Sequence, residues 1–222
     1  MRPIAEPAVS APQAFSDEAA LATRLLLTIL AALALANCST TIDTRPLVAL
    51  ETPKGVIVMA IETEAAPITA ENFLAYVDGG LFEGAEFYRA VTPDNDPNPA
   101  AITVLQGGLN SNDDPLPPIR HEPTVITRLT HSDGAVSMAR LEPGTAGSEF
   151  FISIGDNPEL DFGGARNPDG HGFAVFGQVI QGMDVVHAIH AAPRGLPTED
   201  DYFPGQLLDP PVRILGVNRI SH

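Results

Sequence analysis

The feature that most constrains this chain is a succession of short apolar runs punctuated by proline, glycine and Asn/Asp turns. Residues 48–50, 55–61, 86–91, 102–105, 135–138, 149–154, 173–179 and 212–220 each read as a strand. Pro53-Lys54-Gly55 marks a tight turn between the first two. Only two stretches carry helical spacing. Pro67 or Thr69 opens the first, which has Phe73, Leu74 and Val77 on its apolar face and Gly79-Gly80 at its end. The second covers 183–192, with Val185, Val186 and Ile189 on one face. Strands and helices do not alternate, which argues against a βαβ repeat. The pattern predicts a mainly β domain in which the strands close into a barrel. No internal repeat is visible.

Composition narrows what such a domain can bind. The formal net charge of the 222 residues is −16. A polyanionic surface repels phosphate backbones and anionic lipid, so nucleic acid is not an expected partner. The single cysteine, Cys38, excludes an intramolecular disulfide. Its surroundings say more. Arg24 precedes an apolar run from Leu25 to Ala36, too short to span a bilayer and the right length for a signal-peptide core. Leu35-Ala36-Asn37-Cys38 resembles a lipoprotein lipobox, with Asn37 where glycine or alanine is usual. The stretch before Arg24 is long and carries Glu6, Asp17 and Glu18; initiation near Leu21 would give the short basic start that a signal needs. The competing reading is a buried or amphipathic N-terminal helix. The expected organisation is a targeting segment at 1–37, a polar tether at 38–46 and a folded domain at 47–222. It places the protein outside the cytoplasm, in the periplasm, with lipid on Cys38 as its one membrane attachment.

Within the domain several motifs stand in a fixed order. Phe87-Tyr88-Arg89 and Gln106-Gly107-Gly108 come first. Val136-Ser137-Met138-Ala139-Arg140, Ser148-Glu149-Phe150-Phe151-Ile152 and Val175-Phe176-Gly177 follow. Together they resemble the cyclophilin-type peptidyl-prolyl cis-trans isomerases, over residues 55–192. The resemblance implies an eight-stranded closed β-barrel capped by two α-helices. Met-Ala-Arg, where many eukaryotic relatives have Met-Ala-Asn, suggests the bacterial type. The resemblance also implies a cofactor-free monomer whose partners are unfolded or folding polypeptides containing proline.

The reaction sets its own requirements. Rotation about an X-Pro bond meets a barrier of about 18–20 kcal/mol, and the uncatalysed exchange takes about tens to hundreds of seconds. As the amide twists, its nitrogen regains a lone pair and becomes a hydrogen-bond acceptor. A fixed donor aimed there stabilises the transition state over both ground states. Arginine suits that role, being always charged and carrying a rigid planar fork. By the resemblance Arg89 is the catalytic arginine, in Phe-Tyr-Arg-Ala, and Gln106 helps to hold the substrate carbonyl. Ala139 and Arg140 match the backbone that pairs with bound peptide. Val104, Phe151, Leu160 and Phe173 match the wall of the proline pocket. Alternation along a strand sends one of Phe150 and Phe151 to the core and the other to the groove. Taken singly, each of these is an ordinary core or surface residue; their order gives them meaning.

Departures from the family pattern bear on activity. Thr103 stands where a pocket phenylalanine is usual, and losing roughly 2 kcal/mol of burial would weaken proline binding roughly thirtyfold. Glu149 replaces a glutamine at the substrate-binding edge; paired with Arg89, it would orient that arginine and partly neutralise it. Residues 93–101, Pro- and Asn/Asp-rich, form an insertion at the rim of the groove. Their acidic and amide groups lack the positional pattern of an EF-hand, so no metal is expected. His131, His171 and Ser148 show no hydrolase spacing, and His187 and His190 have no further ligand beside them. These departures keep a second reading open: a cyclophilin-like module or chaperone that holds proline peptides with little turnover.

Overall fold

The structure, a computed structural model, describes residues 43–110, 114–195 and 203–221. The targeting segment, Cys38 and most of the tether lie outside these residues. The compact unit that carries the sheet begins at Arg45. Arg45 pairs with Glu62, and the Ile61 N–H donates to Pro46 O at 2.9 Å, so the end of the expected tether is bound to the domain.

Nine strands form one antiparallel sheet: β1 (Leu47–Thr52), β2 (Gly55–Ile61), β3 (Glu86–Val91), β4 (Val104–Gly108), β5 (Ala135–Met138), β6 (Phe150–Ser153), β7 (Ala174–Gln181), β8 (Leu207–Arg213) and β9 (Gly216–Ile220). Their spatial order is β8-β3-β4-β6-β5-β7-β2-β1-β9. The mainly β domain expected from the sequence takes the form of a curled nine-stranded sheet with β8 and β9 at its two ends, where the sequence predicts eight strands. The difference arises at Ile214-Leu215. There the last expected strand breaks in two, because the Ile214 N–H turns to Ala85 O (2.9 Å) and the Leu215 N–H to Glu51 O (2.7 Å). β8 pairs with β3 on one side of the break, and β9 pairs with β1 on the other.

Among the described residues three α-helices accompany the sheet, where the sequence predicts two. Helix α1 (Pro67–Asp78) packs against β7 and β9, and α3 (Met183–His190) against β2, β3 and β4. The third, α2 (Thr124–Thr127), is a single turn that its sequence does not announce. Proline at the start of α1 has no N–H to leave unpaired. No side chain at the local N-cap serves this helix. Instead the buried Glu122 carboxylate accepts from both the N–H and the hydroxyl of Thr69, at 2.7 Å each. A carboxylate there also suits the positive end of the helix dipole.

Two apolar clusters occupy the two faces of the sheet. The larger gathers Phe73 of α1 with Phe82, Phe150 and Phe176, at ring-centroid distances of 5.3, 5.7 and 5.0 Å. The smaller holds Val91, Ile102, Val104, Phe151 and Leu160, with Ala139 and Phe173 against it. Adjacent residues Phe150 and Phe151 thus enter different clusters, as strand alternation requires. Phe150 meets Phe73, Phe82 and Phe87 edge-on. Phe150→Ala is expected to destabilise the fold by about 3–5 kcal/mol in urea denaturation.

Candidate active site

A groove of about 810 Å³ opens over the smaller cluster. Its walls include Arg89, Val104, Gln106, Ala139, Arg140, Glu149, Phe151, Leu160 and Phe173, so these nine residues matched to the family's site lie on one concavity, and Thr103 does not line it. Period-two alternation accounts for most of this. Ile102, Val104 and Gln106 share one face leading into and along β4, while Leu105 joins the main core. Ile102 contributes an apolar side chain to the cluster and to the groove wall. Thr103, assigned to the place of the pocket phenylalanine by motif position, takes no part in the cluster. Its N–H donates to the Asn157 side chain and its carbonyl accepts from the Ile154 N–H.

Alternation fails at one useful point. In β3, Phe87 pairs with Gly107 and Arg89 with Gln106, so Tyr88 is an extra residue in a β-bulge. The bulge lets both Tyr88 and Arg89 line the groove. Both belong to a polar relay. Arg89 donates through Nη1 to Gln106 Oε1 (2.9 Å), Gln106 Nε2 donates to the Tyr88 hydroxyl (2.6 Å), and that hydroxyl donates to Glu149 Oε2 (2.6 Å). Glu149 Oε1 accepts from the Asn110 N–H at 2.7 Å. Burial, reinforced by the Glu149 charge, pushes the Tyr88 hydroxyl well above its ordinary pKa. The phenol therefore stays a donor. Gly108 makes room for this arrangement: with φ of +151°, a Cβ on it would lie 2.5 Å from Glu149 Oε1. Glu149 thus reaches Arg89 through Tyr88 and Gln106, in place of the direct pairing that the sequence allowed.

The pocket floor has its own support. Phe151 stacks on the His131 ring with centroids 5.8 Å apart and planes 14° apart. His131 Nδ1 lies 2.7 Å from Asp161 Oδ1, and Nε2 lies 2.9 Å from Ser137 Oγ. The residue types match a hydrolase triad, but Ser137 is 0% exposed and its oxygen has no path to a substrate. The trio braces Phe151 from behind. Phe173 closes the pocket edge-on to Phe151 at 5.3 Å. Arg140 lies over Phe173, with Cζ 5.2 Å from the ring centroid, and grips Asp169 with two bonds of 2.8 and 3.1 Å. Its Nε donates to Gly172 O at 3.0 Å. The rim insertion is fixed by an Asp96–Arg166 ion pair and by Asn98 donating to Arg166 O.

The sequence of the domain and its fold have known counterparts. The family model described as cyclophilin type peptidyl-prolyl cis-trans isomerase matches residues 47–217. The chain is a cyclophilin-type peptidyl-prolyl cis-trans isomerase by family. Among similar proteins is the peptidyl-prolyl cis-trans isomerase cyp18 of Streptomyces antibioticus, 37% identical over 153 residues, which span 67% of this chain and 85% of that one. Isomerase B of Escherichia coli is 31% identical over 153 residues, covering 67% and 87%. The crystal structure of a Cryptosporidium parvum cyclophilin superposes with a TM-score of 0.61 at 19% identity, over 80% of this chain and 99% of that one. That likeness is one of fold.

Several residues of this cyclophilin groove escaped the motifs. Ile102 was recoverable by counting in twos from Val104. Tyr88 needed the bulge, which leaves no mark in composition. His131 and Asp161 meet only through the fold. Phe203 lies with its ring centroid 3.7 Å from Arg89 Cζ, and Gln206 accepts from Arg89 Nε at 2.8 Å. Both come from beyond the last recognised motif.

Two outcomes test the polar framework. Tyr88→Phe leaves Gln106 Nε2 and Glu149 Oε2 without their shared partner and is expected to lower stability by about 1–3 kcal/mol in urea denaturation. The bonds from Arg140 hold the Asp169 carboxyl down at about 2. A depressed carboxyl adds stability that is fully present above its ordinary pKa and is lost as pH falls through the lowered value. The Asp169 carboxyl carbon should accordingly titrate near pH 2 by NMR, and Arg140→Ala should return it to the usual carboxylate range.

Proposed function

We propose that this chain accelerates cis-trans isomerisation of X-Pro bonds in folding envelope polypeptides. The observation that carries the reading is the placement of Arg89, whose guanidinium is held by Gln106 and lines the same groove as the apolar walls of Val104, Phe151, Leu160 and Phe173. The proline ring fills the apolar pocket, which carries few donors of its own. Arg89 directs an N–H at the amide nitrogen as it becomes an acceptor in the twisted state. Gln106 has two amide protons, of which Tyr88 receives one; the second is offered to the carbonyl before the proline. Ala139 and Arg140 pair with the substrate backbone along the edge of the groove, and Glu149 acts there through Tyr88 rather than as a charge on Arg89. The reaction needs no cofactor, since no bond is made or broken. We also propose that the sheet works as a closed barrel, with β8 and β9 as one bent strand, and that the protein acts as a monomer.

Export and attachment through lipid on Cys38 belong to the same proposal, supported by the 24–38 pattern. Two of the three sequence arguments for the binding-module alternative weaken, because Ile102 adds an apolar side chain to the wall and Glu149 is engaged by Tyr88 and Asn110; the rim insertion still speaks for it.

The test is exchange NMR on an X-Pro peptide with the full chain. Wild type should accelerate exchange, and Arg89→Ala should lower kcat/KM by about 10²–10³ while keeping its fold. Equal rates from the folded mutant would remove Arg89 from the mechanism. No acceleration by wild type, together with measurable peptide binding, would return the chain to the binding-module reading.

A further inference from the structure

Among the described residues two side-chain acceptors hold Arg89 from different directions, and one of them belongs to the family motifs. Gln106 on β4 takes the Nη1 side. On the other side Gln206, just before β8, accepts from Nε at 2.8 Å. Gln206 is 2% exposed and doubly anchored. Its Nε2 donates to Asn95 O (2.8 Å), and its own carbonyl accepts from the N–H of Ala90, the residue after Arg89 (2.8 Å). Phe203 lies against one face of the same guanidinium, 3.7 Å from Cζ.

We propose that Gln206 is a positioning residue for Arg89, with Phe203 closing the guanidinium face, so that the approach to β8 completes the catalytic site. This rests on the isomerase reading of Arg89. A guanidinium is planar, with donors at fixed angles. One acceptor leaves it free to swing about that bond. Two acceptors on different nitrogens fix its direction within the plane, and an aromatic ring against its face fixes the plane itself. A misplacement of about 1 Å in a reacting group lowers rate by about a hundredfold, so both holds act on turnover rather than on peptide affinity.

Gln206 makes two side-chain bonds, and they can be separated. Gln206→Glu keeps an oxygen for Arg89 Nε and cannot donate to Asn95 O. Gln206→Met has similar length and supports neither bond. If Gln206 positions Arg89, Gln206→Met should lower kcat about tenfold with KM within about twofold. Gln206→Glu should keep kcat within about threefold, although it loses stability at the Asn95 contact. If Gln206 only fastens the rim to β8, the two variants should fall together, and that result overturns the proposal, as does a Gln206→Met enzyme with wild-type kcat. A readout independent of turnover is the Arg89 Nε–H signal in NMR. It should exchange slowly with water in wild type and in Gln206→Glu, and fast in Gln206→Met. Fast exchange in wild type overturns the proposal without any variant, should Gln206→Met fail to fold. Wild type and Arg89→Ala are run in the same assay. An inactive wild type removes the isomerase reading and this role with it; an active wild type, a silent Arg89→Ala and an unaffected Gln206→Met remove this role alone.

Discussion

The pleat of β6 organises both faces of the sheet. β6 lies between β4 and β5, and its pairings put Leu105, Ile152 and Val136 in one cross-strand row and Gln106, Phe151 and Ser137 in the next. The first row belongs to the main core. In the second, Gln106 and Phe151 reach the groove and Ser137 supports the floor from beneath, through His131. A slip of one residue would exchange the rows and send Phe150 into the groove. The core prevents this, because Phe150 is held among three aromatic rings. The groove residues are therefore placed by burial on the opposite face. Arg89, Val104, Gln106 and Phe151 stand on strands, and Ala139, Arg140, Glu149 and Phe173 lie within two residues of strand ends, which holds their geometry more closely than a free loop would.

The relay beneath Arg89 has a direction, and one residue sets it. An ionised carboxylate only accepts, so Glu149 obliges the Tyr88 hydroxyl to donate. Tyr88 must then accept from Gln106, which turns the Gln106 amide so that its oxygen faces Arg89. A glutamine at 149 could donate or accept and would leave that orientation open. The substitution that looked like a loss in the sequence instead fixes the sense of three consecutive hydrogen bonds.

How far the sequence could be read follows from the range of each signal. Strands β2, β3 and β5 rest on short apolar runs bounded by turn residues, and the separation of Phe150 from Phe151 on period-two alternation; both signals are local. Arg89 and Gln106 rest on motifs of a few residues. What escaped is non-local or unmarked. The cap of α1 comes from Glu122, far along the chain, so neighbouring residues could not say whether Pro67 or Thr69 opened the helix. β8 begins at Leu207, five residues before the strand expected at 212–220, and contains Pro210-Pro211; prolines are tolerated there because β8 ends the row of strands. Gln206 and Phe203 belong to no motif and reach Arg89 only once β8 has paired with β3.

The break at Ile214-Leu215 has a consequence for the order of assembly. The first strand of the sheet, β1, takes its outer partner from the last, with Leu47 opposite Ile220. β3 likewise waits for β8. A chain emerging from its N-terminus can assemble β1 to β7 while the outer edges of β1 and β3 still expose unpaired backbone, which is a template for pairing with other chains. Contacts between such distant residues also form slowly. The interval between synthesis of β7 and arrival of β8 and β9 is thus the aggregation-exposed phase of this molecule, and one short C-terminal segment closes both edges at once.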